Sequence, residues 1–279
     1  RLFERCGLLG DSHAYHLGRF VHEFYAQGTG FPAHDAPVPP ADLPLAECRP
    51  FSLDDIDTSE IDDAFSVTRV GEDELRIGIH IAAPALAFAP GSSLDVIARE
   101  RLSTAYMPGR KFTMLPEDAI ERLSLDEGRE RPAISLYLNV GAKDFTLRGR
   151  HTKLERIRVA ANLHHGGHDA LNAAFEAGGA DPARLGLAFE AELHTLWLLA
   201  LALEKRRGKP SVNAANLDYI FRLEDGRVSI GTRKRGAPLD KLVSELMILA
   251  NTTWGEQLAE KDIAAIYRVQ SSGKVRLSV

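Results

Sequence analysis

Cysteine is nearly missing: Cys6 and Cys48 are the only two in 279 residues. Two thiols cannot build a disulfide framework, and these lack the spacing of a metal-binding pair. No apolar run reaches the roughly 20 residues that a membrane-spanning helix needs, and nothing resembles a signal peptide. A cytoplasmic protein without membrane association is the resulting expectation. Positive charge is not in excess either. The formal net charge is −5, so the chain as a whole does not advertise a nucleic-acid binder. RNA, if bound, needs a locally basic surface. Residues 204–235 offer one, with nine Lys/Arg against four Asp/Glu, although a solvated helix end followed by a hairpin explains the same stretch. Internal repeats and low-complexity tracts are absent. What remains is 44% apolar and 26% charged residues, an ordinary globular balance with ample length for a core.

Against that background one stretch stands out. Asp54, Asp55, Asp57, Glu60, Asp62 and Asp63 place six carboxylates within ten residues. Like charges so close raise one another's pKa values. They are tolerable if all face water, or if a polyvalent cation sits among them. Phe51 and Leu53 before the run, and Ala64, Phe65 and Val67 after it, are residues that favour burial, which argues against a fully solvated loop. Oxygen-only ligands suit a hard cation such as Mg²⁺ or Mn²⁺. A calcium loop does not fit. Counting from Asp55, the sixth position is Glu60 rather than Gly and the twelfth is Ser66 rather than Glu.

The order Asp54, five residues, Glu60, one residue, Asp62-Asp63-Ala64 resembles the signature of the ribonuclease II/ribonuclease R catalytic domain. Further blocks follow in the family's order. Gly78-Ile-His80-Ile-Ala82 is similar to its strand after the acidic loop, and Tyr106-Met-Pro108-Gly109 with Met114-Leu115-Pro116 to the next block. Arg131-Pro-Ala-Ile-Ser135, Glu245-Leu-Met247-Ile-Leu-Ala250-Asn251 and Ile266-Tyr-Arg268-Val continue the series. The resemblance covers residues 46–279. It implies the catalytic domain over 46–279, and the residue pattern alone sets a helical N-terminal segment with a Pro-rich linker over 1–45 ahead of it. Relatives carry a Ser-Pro-Ile/Leu-Arg-Arg block and an S1-type barrel beyond the point where this chain ends. The opening Arg1 and the strand-like 275–279 read as cut points of a longer protein.

Periodicity predicts a helix in residues 1–27, capped at Asp11 or Ser12, then an extended segment with five prolines over 29–45. Strands are expected over 64–70 and 75–82, a helix over 93–102, and a hairpin of 131–140 with 145–159. A short helix over 169–177 precedes a long one over 184–207 closed by basic residues and Gly208. A hairpin of 219–223 with 227–232 leads to the last helix, 239–260, whose Leu239, Leu242, Val243, Leu246, Met247 and Ala250 share a face. Hairpins and helices in blocks indicate an α+β fold, with a largely antiparallel sheet surrounded by helices.

The resemblance implies a hydrolytic 3′→5′ exoribonuclease, acting as a monomer, that degrades single-stranded RNA to nucleoside 5′-monophosphates with Mg²⁺ or Mn²⁺. Asp54, Glu60, Asp62 and Asp63 would hold the metal, and Asp62 would be the residue essential for cleavage. Asp55 and Asp57 would be bystanders. Glu60 departs from the family's usual Asp, and its extra methylene displaces the oxygens by about one bond length, which Mg²⁺ tolerates poorly. Tyr106, in a Pro-Gly loop, either packs beneath the loop or stacks on an RNA base; the resemblance favours stacking. His165 stands where relatives have a stacking Tyr. The His164-His165-Gly-Gly-His168 run itself reads as a solvated turn rather than a zinc site. Glu245, an ordinary solvated helix position by pattern, becomes a contact to the terminal nucleotide by resemblance, and Asn251 and Arg268 become RNA-binding candidates. His80, within an apolar strand, reads as a satisfied core histidine. Two rivals remain: a catalytically silent RNA-binding module of the same fold, and an unrelated metal-dependent DNase or phosphatase.

Overall fold

The computed structural model describes residues 2–8, 12–55, 58–164, 169–177, 185–208, 217–224, 227–234 and 236–267. Two helices open the chain, α1 (Leu2–Arg5) and α2 (Ser12–Phe24). The central sheet begins with β1 (Phe51–Asp54), β2 (Asp63–Gly71) and β3 (Glu74–Ala82). After α3 (Ser93–Arg101), the short hairpin β4 (Ala105–Met107) and β5 (Arg110–Phe112) stands apart from that sheet, and α4 (Glu117–Leu123) follows. The chain returns to the sheet with the long pair β6 (Glu130–Gly141) and β7 (Leu147–Arg158) and with β8 (Ala161–His164). Helices α5 (Asp169–Glu176) and α6 (Glu190–Arg207), the ribbon β9 (Leu217–Glu224) and β10 (Arg227–Lys234), and α7 (Pro238–Glu260) complete it.

The six-stranded sheet runs β7-β6-β3-β2-β1-β8, antiparallel except where β1 pairs with β8. Alternation along the strands gives the sheet two different faces. On one, Phe51, Leu53, Phe65, Ile77, Ile79, Leu136 and Leu138 meet the apolar sides of α5, α6 and α7 through Leu171, Leu193, Leu196, Leu242 and Leu246. Each of these large side chains contributes about 1.5–3 kcal/mol by leaving water. The opposite face buries a smaller cluster of Ile61, Ala64, Leu125, Ala133, Ile157 and Val159.

Beside that smaller cluster lies a polar network. His80 is fully buried and shares hydrogen bonds with Ser66 Oγ (2.9 Å) and Ser135 Oγ (2.8 Å). Burial pushes its pKa down to about 3, so it is a neutral core histidine, as expected. A Cβ at Gly78 would strike the Ser66 hydroxyl and the His80 ring, which explains glycine at the centre of β3. Both cysteines are free thiols, and no described helix is long and apolar enough to cross a membrane.

Two expected elements differ in the structure. The long helix begins at Glu190 rather than 184, because the Glu190 carboxylate accepts the Leu185 and Leu187 N–H groups at 3.1 and 3.3 Å. Those amides are thereby taken up outside the helix. Its end is as expected, at Gly208 with φ +65°. The Pro-rich segment is extended but not a free linker. Arg101 donates to the Thr29 and Gly30 carbonyls at 2.9 and 2.8 Å and lies 3.7 Å over the Phe31 ring. Val38 N–H reaches the Ala87 carbonyl, and residues 44–46 bond along Arg156.

Candidate active site

The acidic residues occupy the crossover from β1 to β2. Asp54 is the last residue of β1, and Asp63 is the first of β2, paired with Ile81 of β3. Between them Ile61 acts as a peg: it is buried, its N–H donates to Ser124 Oγ (2.9 Å), and its carbonyl accepts from Leu125 N–H (3.0 Å). Glu60 and Asp62 flank the peg, Asp62 exposed and Glu60 half-buried. One apolar residue between acidic neighbours thus anchors the loop where charge is wanted.

Electrostatics show that the four carboxylates share one field. Burial, then the charges of Glu60 and Asp54, raise the Asp62 pKa, and Lys111 opposes them. Burial, then Asp54 and Asp62, push Asp63 up to about 7. Burial, then Glu60 and Asp62, raise the Tyr106 phenol. Mutual repulsion of this kind is what a divalent cation relieves, and an all-oxygen donor set is what a hard cation selects. By donor chemistry the residues fit Mg²⁺ or Mn²⁺. Among the described residues no three acidic, histidine or cysteine side chains are already gathered as a ready-made cage. Asp57 lies outside the described residues.

The Asp63 shift gives a pH-dependent stability. A folded-state pKa of about 7 against 3.8 means the native state holds a proton that the unfolded chain has released. Stability of the metal-free domain therefore falls as pH rises through that window. Asp63→Asn is expected to be more stable than the parent by roughly 2 kcal/mol at pH 8, discounted for partial exposure. At pH 4 the two should be equal. Urea midpoints at both pH values measure the difference, and parallel pH profiles would refute it.

Glu60 is held by the hairpin. It accepts from Thr104 Oγ1 at 3.2 Å and pairs with Lys111 Nζ at 3.3 Å. Tyr106 sits opposite Lys111 in the β4–β5 register, with Lys111 Nζ 5.4 Å from its ring centroid. Tyr106 is 71% exposed, so it does not pack beneath the loop. The hairpin turns at Gly109, φ +69°, where a Cβ would also strike Leu223 of β9. A cavity of about 950 Å³ lies beside this hairpin, lined by Phe20, Tyr25, Phe31, Arg101 and Ala105 among others; it does not include the carboxylates.

Glu245 corrects the solvated position its pattern suggested. It is 3% exposed and paired with Arg207 at the end of α6. Two packed helices enclose it, and the guanidinium keeps its charge compensated. Asn251 is exposed, and its Nδ2 donates to its own helix at the Met247 carbonyl, 2.9 Å. Among the described residues the recorded side-chain partners are Arg207 for Glu245 and the Met247 carbonyl for Asn251. His165 and Arg268 lie outside the described residues. Pattern reading missed Thr104, Lys111 and Arg207.

The fold and site define an α+β domain with an acidic crossover at the end of its sheet. The family model of the RNB domain matches residues 44–276. The chain belongs to this family, that of the ribonuclease II/ribonuclease R catalytic domain. Exoribonuclease 2 of Vibrio parahaemolyticus is 30% identical over 240 residues, 84% of this chain and 36% of the relative. Mycoplasma genitalium RNase R, solved with ribose-methylated single-stranded RNA, superposes with a TM-score of 0.68 at 17% identity, covering 83% of this chain and 36% of that one. Yeast Ssd1, a pseudonuclease, superposes with a TM-score of 0.61 at 17% identity, covering 81% and 28%. The chain spans about a third of the length of the exoribonuclease it matches.

Proposed function

We propose that this domain is a divalent-metal-dependent 3′→5′ exoribonuclease that hydrolyses single-stranded RNA to nucleoside 5′-monophosphates. The observation that carries the reading is the shared field of Asp54, Glu60, Asp62 and Asp63 at one end of an RNB sheet. Exonucleolytic action on RNA is supported by the relation to proteins named exoribonuclease; polarity and product rest only on the family resemblance of the sequence blocks.

Phosphodiester hydrolysis needs a positioned water, neutralised phosphate charge and help for the departing 3′ oxygen; bound Mg²⁺ or Mn²⁺ supplies these. Asp54, Asp62 and Asp63 would hold the cation. Asp62 is the more exposed of the adjacent pair, which supports assigning it to the phosphate side of that cation. Tyr106 offers an uncovered ring for a base several nucleotides from the reacting end. Tyr106→Ala is therefore expected to weaken single-stranded RNA binding by about 1–3 kcal/mol. Fluorescence anisotropy with a labelled oligonucleotide measures it, and unchanged affinity would remove Tyr106 from the RNA path.

A narrow approach would account for single-strand preference, and contacts to the 2′-OH for RNA over DNA. The test is cleavage of a 5′-labelled RNA strand, its DNA equivalent and a blunt RNA duplex. Mononucleotide release from the RNA strand alone supports the reading, and equal rates on all three sink it. The second reading, a silent RNA-binding module, is favoured by one observation: protein donors already occupy Glu60. Absence of cleavage across a Mn²⁺ and Mg²⁺ titration, with RNA still bound, would establish it.

A further inference from the structure

Lys111 has no role in the reaction proposed above, yet its ammonium stands inside the site. It lies 3.3 Å from Glu60 Oε2 and 2.7 Å from Ser59 Oγ, with the Tyr106 ring above it. The pair is largely shielded, with side-chain exposures of 22% for Lys111 and 16% for Glu60. Its base is firmly placed. Phe112, next in sequence, is buried against Phe20 and Tyr25 at ring distances of 5.5 and 5.0 Å. Thr104 Oγ1 donates to Glu60 and accepts the Met114 N–H at 3.1 Å. Arg101 holds the Thr113 carbonyl at 3.1 Å.

An ammonium against Glu60 and a divalent cation against the same oxygens repel each other strongly at such range. Mg²⁺ also needs its ligand oxygens at about 2.1 Å in near-octahedral order. Thr104 and Lys111 both hold Glu60 Oε2, at 3.2 and 3.3 Å, so ligation through that oxygen requires displacing them, and the ammonium opposes a cation at either oxygen.

We infer that Lys111 is a positioning residue that withholds Glu60 from the metal, clasping the acidic loop to the Tyr106 hairpin and lowering the site's affinity for divalent cations. The cation is left to Asp54, Asp62 and Asp63, and Glu60 serves the clasp. This rests on the metal-centred reading proposed above.

Mn²⁺ titration followed by electron paramagnetic resonance, which counts free Mn²⁺, tests it without any assay of activity. Lys111→Met is expected to bind Mn²⁺ about five- to tenfold more tightly than the parent, because Glu60 is released. Adding Glu60→Gln to Lys111→Met should abolish that gain. Lys111→Arg, which keeps the charge, should resemble the parent, and circular dichroism and melting temperature verify that each variant is folded. A Lys111→Met variant with unchanged or weaker Mn²⁺ binding overturns the inference, as does a gain that survives in the double variant. A parent chain that binds no Mn²⁺ at millimolar concentration overturns the metal-centred reading itself, and this inference with it.

Discussion

Asp62→Asn is expected to lower hydrolysis of single-stranded RNA by about a thousandfold or more, while RNA affinity stays within about twofold of the parent. The substitution preserves size and removes one charge from the place where, on the proposed reading, metal and phosphate would meet. Its structural cost is small, because Asp62 is exposed and the loop is anchored by the buried Ile61 beside it. The carbonyl of Asp62, which accepts the Ala82 N–H at 2.8 Å, is untouched. Removing a carboxylate also lessens repulsion on Asp63, so the metal-free variant should be no less stable than the parent. Release of labelled mononucleotide under single-turnover conditions measures the rate. Parent-like hydrolysis by Asp62→Asn would show that another group leads the chemistry.

The second large effect concerns stability. Arg207→Ala is expected to destabilise the domain by about 2–4 kcal/mol, less than the full cost of breaking a wholly buried pair because Arg207 is partly exposed. Glu245 would then be left charged between α6 and α7 without its counterion. Adding Glu245→Gln should recover much of the loss, since a neutral amide needs no counterion. Urea midpoints at pH 7 for the parent, both single variants and the double variant complete the cycle. A single-variant loss below about 0.5 kcal/mol would mean that water compensates Glu245 as well as Arg207 does.

Much of the architecture was legible in local pattern. The β6–β7 pair followed from apolar alternation around a polar turn, and α7 from one apolar face of 3.6-residue period. Gly208 marked a helix end because a left-handed residue closes helices at low cost. His80 read as core because an isolated imidazole in an apolar strand is best buried neutral with hydroxyl partners. The acidic crossover was legible because its chemistry is crowded into ten residues and needs no distant partner to announce it.

What escaped was always a matter of partners far apart in the chain. Glu245 looked solvated because Arg207 is 38 positions away, and only the packing of α6 on α7 brings them together. Lys111 drew no notice because Ser59, which it meets, is 52 positions away. The prolines of 29–45 announced an extended chain but not its docking, which depends on Arg101 and Ala87. Sequence alone carried the family resemblance, the order of the long helices and hairpins and the identity of the acidic cluster, since each is written in contiguous residues, whereas β1, β4, β5, α4 and β8 emerged only in the structure. Tertiary structure decided which charges are shielded, which are paired and which remain open to a cation. Those properties belong to the distance between side chains and to the water left around them, and neither exists until the chain has closed on itself.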